Sequence, residues 1–160
     1  MKRNAVKVLI GIGVLSCVLV GAVLLCGVNK TVDKTLSVNV YDDPSGTYKS
    51  SSIAIKGNLK KTLSSTNFVG TFAIDWFEPS CREGVEAKIT WYDGYQDIRY
   101  FNSGDFTRFN IGLFEINEKM DDVMIAFEDG GIVATEGHNI RGSEWMQYVS
   151  QNAGLAVKHS

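Results

Sequence analysis

Histidine is almost missing from this 160-residue chain, which contains two histidines, two prolines and three cysteines. His138 lies in a segment that is predicted to be a loop, and His159 is the penultimate residue. A zinc site needs several His or Cys ligands at short spacings, and the sequence has no such group. A Ser or Cys nucleophile needs a general base, which only His138 would supply. The sequence therefore predicts no catalytic residue, no metal site and no cofactor.

The three cysteines exclude an internal disulfide framework. Cys17 and Cys26 lie within one long apolar run, whereas Cys81 is the only cysteine in the remainder of the chain. If the apolar run lies in a bilayer, Cys81 cannot approach to the Cα–Cα distance of ~6 Å that a disulfide requires. The part after the run, about 130 residues, is long enough to bury a core without cross-links.

An excess of basic side chains is also lacking. The chain has 16 basic and 18 acidic residues, and Lys2, Arg3 and Lys7 precede the apolar run. The part after the run therefore has 13 basic and 18 acidic residues, which is a formal net charge of −5. Because no basic stripe of the kind that binds nucleic acid is present, we predict no nucleic-acid partner.

The apolar run itself, residues 8–28, contains no charged side chain. As a helix it would be ~31 Å long, which matches the hydrocarbon core of a bilayer. The three basic residues named above precede it, and the first acidic residue of the chain is Asp33. By the positive-inside tendency the N-terminus is cytoplasmic and the C-terminal part lies outside. We predict a single-pass protein of the cell membrane whose residues 8–28 form a signal-anchor helix in contact with membrane lipid.

Two other processing routes remain open for this segment. A cleaved signal peptide has an apolar core of ~7–15 residues, and the present run is longer. The tetrapeptide ending at Cys17 loosely resembles a bacterial lipobox, which would make the chain a lipoprotein. Cleavage there would leave residues 18–28 as an apolar segment where a polar spacer is expected. The uncleaved anchor fits the length and both flanks of the run.

Alternation of apolar and polar residues with a period of two dominates the chain after residue 35. The alternating segments are short, turn-forming clusters separate them, and long helical periodicity is missing. We therefore predict an all-β fold, an antiparallel meander of about eight strands that closes as a sandwich or a small barrel. The apolar positions of the first three strands are Leu36, Val38 and Val40, then Ile53, Ile55 and Leu59, then Phe68, Phe72, Ile74 and Trp76.

These patterns also predict the domain boundaries. The chain divides into a cytoplasmic basic segment (1–7), the transmembrane helix (8–28), a linker (29–34), an extracytoplasmic β domain (35–153) and a frayed tail (154–160). Ser143 is a candidate N-cap for a short helix at the end of the domain. The apolar stripe of that helix can cover one edge or end of the sheet, and it consists of Trp145, Tyr148 and Val149.

The strongest local signal is a hairpin centred on Asp93-Gly94. Asp-Gly suits a two-residue type I′ turn, because both central residues need a positive φ. This turn places Tyr92 opposite Tyr95 and thereby sets the register of both flanking strands. One face of the hairpin then collects apolar side chains, as a buried sheet face requires. They are Val85, Ala87, Ile89, Trp91, Ile98 and Tyr100.

Aromatic residues on the other face of this hairpin are the candidate ligand or partner surface. Adjacent residues of a strand point to opposite faces, so Tyr92, Tyr95 and Phe101 lie outward if Trp91 and Tyr100 lie inside. Tyr92 and Tyr95 are predicted side by side, with Phe101 farther along the same face. Exposed aromatic side chains with polar tips are typical contacts for sugars and proteins. The alternative is that this face packs beneath another part of the chain.

Together these features favour a non-catalytic binding module at the cell envelope, with an envelope protein or a glycan as its partner. Two alternatives remain. An envelope hydrolase would use the carboxylates of Glu78, Glu83 and Glu86, since glycoside hydrolysis uses two carboxylates ~5–10 Å apart. An accessory subunit of a membrane complex would rely on residues 8–28, whose glycines permit close helix packing.

Overall fold

The computed structural model describes residues 11–16, 18, 21, 27–42, 47–92, 95–102, 105–107, 109, 111–128 and 130–137. Among these residues, nine strands form one antiparallel sheet, and a short 3₁₀ helix (Glu78–Cys81) follows the third strand. The strands are β1 (Val28–Tyr41), β2 (Tyr48–Lys61), β3 (Thr66–Ile74), β4 (Val85–Tyr92), β5 (Tyr95–Asn102), β6 (Asp105–Thr107), β7 (Ile111–Ile116), β8 (Val123–Phe127) and β9 (Ile132–Thr135). Their order in the sheet is β6-β5-β4-β3-β2-β1-β9-β8-β7.

The sheet curls until it is nearly closed into a barrel. β1 pairs with β2 on one side and with β9 on the other. It therefore joins strands β2 to β6 and strands β7 to β9 into one sheet. At the seam β5 lies against β7, and the indole N–H of Trp91 in β4 donates to the carbonyl oxygen of Ile116 in β7 at 2.9 Å. The predicted antiparallel all-β meander is confirmed. The sandwich alternative is wrong, because the described strands belong to one continuous sheet.

β1 is longer than the sequence predicts. It pairs with β2 without interruption from Val28↔Lys61 to Tyr41↔Tyr48, so residues 29–34 are part of the barrel and not a linker. The alternation continues through this segment, since Val32 is buried. Lys34 falls at an inward position, where its ammonium group donates to the carbonyl oxygen of Lys119 at 2.6 Å. Lys30 and Lys34 occupy inward positions, where an alternating strand pattern has apolar residues. The sequence pattern therefore does not predict a strand in this segment.

The predicted anchor is only partly described. Residues 11–16, 18 and 21 are helical. Within the described residues we find no helix with both the length and the apolar character needed to cross a bilayer. Val28 is the first residue of β1 and not the last residue of a helix, because its backbone pairs with β2. The other positions of 8–28, apart from Gly27, lie outside the described residues.

The barrel interior is filled by apolar side chains from the inward face of every long strand. The fully buried ones include Phe68 and Phe72 from β3 and Ile53 and Ile55 from β2, as the alternation predicts. β6 is the strand that alternation misses, because three residues are too few to show a period of two. The predicted C-terminal helix, the tail 154–160 and both histidines lie outside the described residues.

A second apolar cluster lies on the outside of the sheet. Its members come from outward positions of β1, β8 and β9, opposite the side chains that fill the interior. They are at most 4% exposed, and they are Tyr41, Met124, Ala126, Ile132 and Ala134. The sheet therefore buries its outer face on the β1–β9–β8 side, whereas the outer face of β2–β5 carries the exposed residues described below.

Candidate functional site

The β4–β5 hairpin has the register that the Asp-Gly turn predicts. Tyr92 pairs with Tyr95, Ile89 with Ile98, and Ala87 with Tyr100. The turn residues Asp93 and Gly94 themselves lie outside the described residues. Because the side-chain period of a strand is two, this register puts all predicted apolar positions on the inner face.

Two hydrogen bonds on the inner side hold the hairpin against the barrel. The hydroxyl of Tyr100 donates to the carbonyl oxygen of Phe72 at 2.9 Å, and the side chain is only 1% exposed. Burial raises the pKa of the Tyr100 hydroxyl, and an electrostatic interaction with Cys81 raises it further. The Trp91 indole bonds across the seam to β7. The inner face of the hairpin is thus hydrogen bonded to both β3 and β7.

Tyr92 and Tyr95 form a stacked pair at the end of this hairpin. Their ring centroids are 4.6 Å apart and the rings are inclined by 16°. Tyr92 is 45% exposed and Tyr95 57% exposed, so the pair is open to solvent. Offset stacking orders both rings without hiding them, which suits a contact surface of low conformational entropy cost.

Phe101 is not brought together with the tyrosine pair. It lies on the same outer face of β5 but six residues from Tyr95, which is ~20 Å along a strand. It is half-buried and pairs with Glu86 in β4 and Phe106 in β6. The predicted surface therefore reduces to Tyr92 and Tyr95, with Phe101 at the far end of the hairpin.

A shallow depression lies on the outer face of strands β1 to β4. The depression has a volume of about 610 Å³ and is lined by Asn29, Asn58, Lys60, Asn67, Val69 and Lys88. Cross-strand pairing builds it in two rows, with Lys60 between Asn29 and Asn67, and Val69 between Asn58 and Lys88. The sequence does not predict this depression, because its residues come from four different strands. No two-residue turn sets the register between those strands.

The two lysines of this asparagine–lysine depression, Lys60 and Lys88, form no ion pair with a described acid. Lys88 lies opposite Arg99, as the register predicts. Arg99 is compensated by Asp97, whose carboxylate accepts from its guanidinium at 2.5 Å. The depression is thus locally basic on a domain with an acidic balance.

A second depression at the barrel seam has the opposite character. It has a volume of about 340 Å³, and its lining includes the acids Glu115 and Asp122 together with Gln96 and Asn117. In the part of the chain that the structure describes, no three His, Cys, Asp or Glu side chains come together as a metal site. Asp122 is already engaged, since it accepts from the Thr135 hydroxyl at 2.7 Å.

The carboxylates proposed for a hydrolase lie on exposed surface. Neither depression described above is lined by Glu78, Glu83 or Glu86. Hydrogen bonding to Arg82 lowers the pKa of Glu78, whereas a general acid needs a raised pKa. The neighbouring Cys81 thiol is exposed and donates to the carbonyl oxygen of Ile74 at 3.2 Å. The geometry gives no support to acid–base catalysis at this loop.

No family model, no curated protein and no solved structure matches this chain. The fold is a nearly closed antiparallel β-barrel, and one of its outer faces is exposed, polar and aromatic.

Proposed function

We propose that this chain is a single-pass membrane protein whose extracytoplasmic barrel is a non-catalytic binding module at the cell envelope. The apolar run 8–28 supports the anchor, because its length matches a bilayer and basic residues precede it. The N-terminus is then cytoplasmic and the barrel lies outside. The partner is another envelope component, a protein, a glycan or lipid, that contacts the outer face of the barrel.

The observation that carries this proposal is the exposed stack of Tyr92 and Tyr95. Two large amphipathic rings are held in a fixed orientation on a hairpin whose inner face is buried and hydrogen bonded. Ordering such side chains on binding costs little additional entropy, and tyrosine is a common anchor residue at protein interfaces. The asparagine–lysine depression extends the same face with donors and acceptors.

The two alternatives have weaker support. Glu78, Glu83 and Glu86 lie on open surface, and the pKa of Glu78 is lowered and not raised. An accessory subunit that acts through residues 8–28 rests on the sequence alone. The exposed outer face is the feature that favours a binding module.

Photo-crosslinking in intact membranes tests the proposal. A benzophenone side chain replaces Tyr95 in the full-length protein, and the matched control carries it at Tyr48, which is 54% exposed at the opposite end of the barrel. We expect a discrete adduct from position 95 and none of the same kind from position 48. The adduct from position 95 decreases when Tyr92→Ala is added, because the stacked partner ring is lost.

An equal pattern of adducts at both positions would contradict the assignment of the surface. So would an adduct at position 95 that Tyr92→Ala leaves unchanged in a folded protein. Circular dichroism of each variant establishes that the barrel is intact before crosslinking is compared.

A further inference from the structure

Exposed apolar and aromatic side chains lie together at one end of the barrel. A single row of paired residues crosses five strands there: Val28, Lys61, Thr66, Trp91 and Gln96. Immediately beyond this row lie Gly27, the β2–β3 turn and the Tyr92–Tyr95 pair. Val28 is 59% exposed, and Leu63 in the β2–β3 turn is 80% exposed. We call Val28, Leu63, Tyr92 and Tyr95 the Val28 rim.

The Val28 rim is also where the predicted anchor joins the barrel. Val28 pairs with Lys61 as the first residue of β1, so the apolar run reaches the barrel with no intervening linker. If residues 8–28 cross the bilayer, the first residues of β1 lie at its surface. Leu63 lies one strand spacing from Val28, and the tyrosine pair lies three to four spacings away, which is ~14–19 Å.

The distribution of charge distinguishes the two ends of the barrel. Lys30 and Lys60 lie within two residues of the rim row, and neither forms an ion pair among the described residues. Two acids lie close to this row, and both are paired: Asp97, which follows Gln96, with Arg99, and Glu118 with Lys61. The opposite end carries exposed acids, namely Asp42, Asp75, Glu78, Glu83 and Glu128. Among the described residues, the Val28 rim thus combines exposed apolar side chains with two lysines, Lys30 and Lys60, that form no ion pair.

We infer that the Val28 rim lies in the membrane interface and that its partner is lipid with anionic headgroups. Tyrosine is enriched at the boundary between headgroups and hydrocarbon, because its ring is apolar and its hydroxyl is polar. An exposed leucine beside it adds apolar area to bury, and lysines near the surface are attracted to anionic lipid. This inference rests on the anchor of the proposed function and names the partner of the same tyrosine pair.

The experiment uses the full-length protein in vesicles of phosphatidylcholine and phosphatidylglycerol that carry a nitroxide on the lipid headgroup. After all three native cysteines are replaced by alanine, a fluorophore is attached at Leu63→Cys, Tyr95→Cys or Tyr48→Cys. We expect loss of fluorescence for the labels at 63 and 95, and retention for the label at 48. Lys30→Gln with Lys60→Gln reduces the loss at 63, because the attraction to phosphatidylglycerol is weakened.

Alkaline extraction of the same vesicles separates failure of this inference from failure of the anchor. If the protein resists extraction but the labels at 63 and 95 are quenched no more than the label at 48, the rim does not lie at the interface. If the protein is extracted, the anchor is wrong and the inference fails with it. A protein or glycan adduct from Tyr95 in the crosslinking experiment would overturn the lipid assignment and leave the binding module standing.

Discussion

The buried hydroxyl group of Tyr100 links strand β5 to strand β3 in the barrel interior. Its side chain lies in the interior, and its hydroxyl donates to the carbonyl oxygen of Phe72 at 2.9 Å. The ring also packs against Phe109, with centroids 4.7 Å apart. A buried hydroxyl without a partner is costly, so this hydrogen bond specifies the relative position of β5 and β3.

Tyr100→Phe is therefore expected to destabilise the protein by about 1–3 kcal/mol, because the Phe72 carbonyl loses its buried donor. Urea unfolding followed by circular dichroism measures the change. The matched control is Tyr95→Phe, where the hydroxyl is on an exposed side chain and the expected change is within about 0.5 kcal/mol. Equal stability of the two variants would show that the Tyr100 hydrogen bond contributes nothing.

The same residue gives the barrel a pH dependence at alkaline pH. Burial raises the pKa of the Tyr100 hydroxyl above its usual value of 10.0. Below pH ~10 this tyrosine is neutral in the folded and unfolded states alike, so its contribution is fully present. Above pH ~10 the unfolded chain binds fewer protons than the folded chain, and the free energy of unfolding falls as pH rises. We expect a smaller fall over that range in Tyr100→Phe.

At the scale of elements, two glycines allow β2 and β3 to approach closely. Gly57 pairs with Gly70, and a Cβ built on Gly70 would lie 2.5 Å from the Gly57 Cα and 2.3 Å from the Lys56 carbonyl oxygen. A glycine inside a strand often marks a β-bulge, but the pairing of β2 with β3 runs through Gly57 without a shift in register. Paired glycines instead let the sheet bend, as closure of a small barrel requires.

Gly70→Ala is expected to cost about 3 kcal/mol, because backbone atoms of β2 must move to admit the Cβ and because Gly70 has φ +153°, which other residues rarely adopt. Gly84→Ala is the control, because it measures the cost of an unfavourable φ angle without a steric clash. Gly84 has φ +78° and the nearest atom to its Cβ position is 3.6 Å away, so only the strain of that φ, about 1–2 kcal/mol, is expected. Denaturant midpoints of the two variants give the comparison, and a Gly84 loss as large as the Gly70 loss would contradict close approach as the cause.

For the whole molecule, the second apolar cluster implies a covering layer on the outside of the barrel. Side chains on the outer face of a sheet are buried only when another layer packs on them. Ile132 and Ala134 are 0% exposed and Tyr41 is 2% exposed. The sequence predicts one amphipathic element with a suitable stripe, the helix that begins near Ser143, and its residues lie outside the described part.

We expect truncation after residue 142 to lower the free energy of unfolding by about 3 kcal/mol or more, which corresponds to exposing two apolar side chains at about 1.5–3 kcal/mol each. Binding of the dye ANS to the folded protein should rise at the same time. Truncation after residue 153, which removes only the predicted tail, is the matched control. If both truncations leave stability unchanged, residues 143–153 do not cover the cluster.

The sequence by itself determined those features of the fold that depend on residues close together in the chain. Period-two alternation predicts the long strands, and Asp93-Gly94 predicts the hairpin register down to the pair Tyr92–Tyr95. Both signals are local, because a pleated strand and a two-residue turn are specified within a few positions. Val28 at the start of β1 was missed for the same reason, since the pairing partner that makes it a strand residue, Lys61, is distant in sequence.

Only the tertiary structure decided how the sheet closes and which side chains come together on its outer surface. A barrel rather than a sandwich follows from β1 pairing with both β2 and β9, which no local pattern encodes. The asparagine–lysine depression exists because several registers align residues from four strands. Registers set by packing and by long connections depend on contacts across the whole chain, so they emerge only when the barrel is assembled.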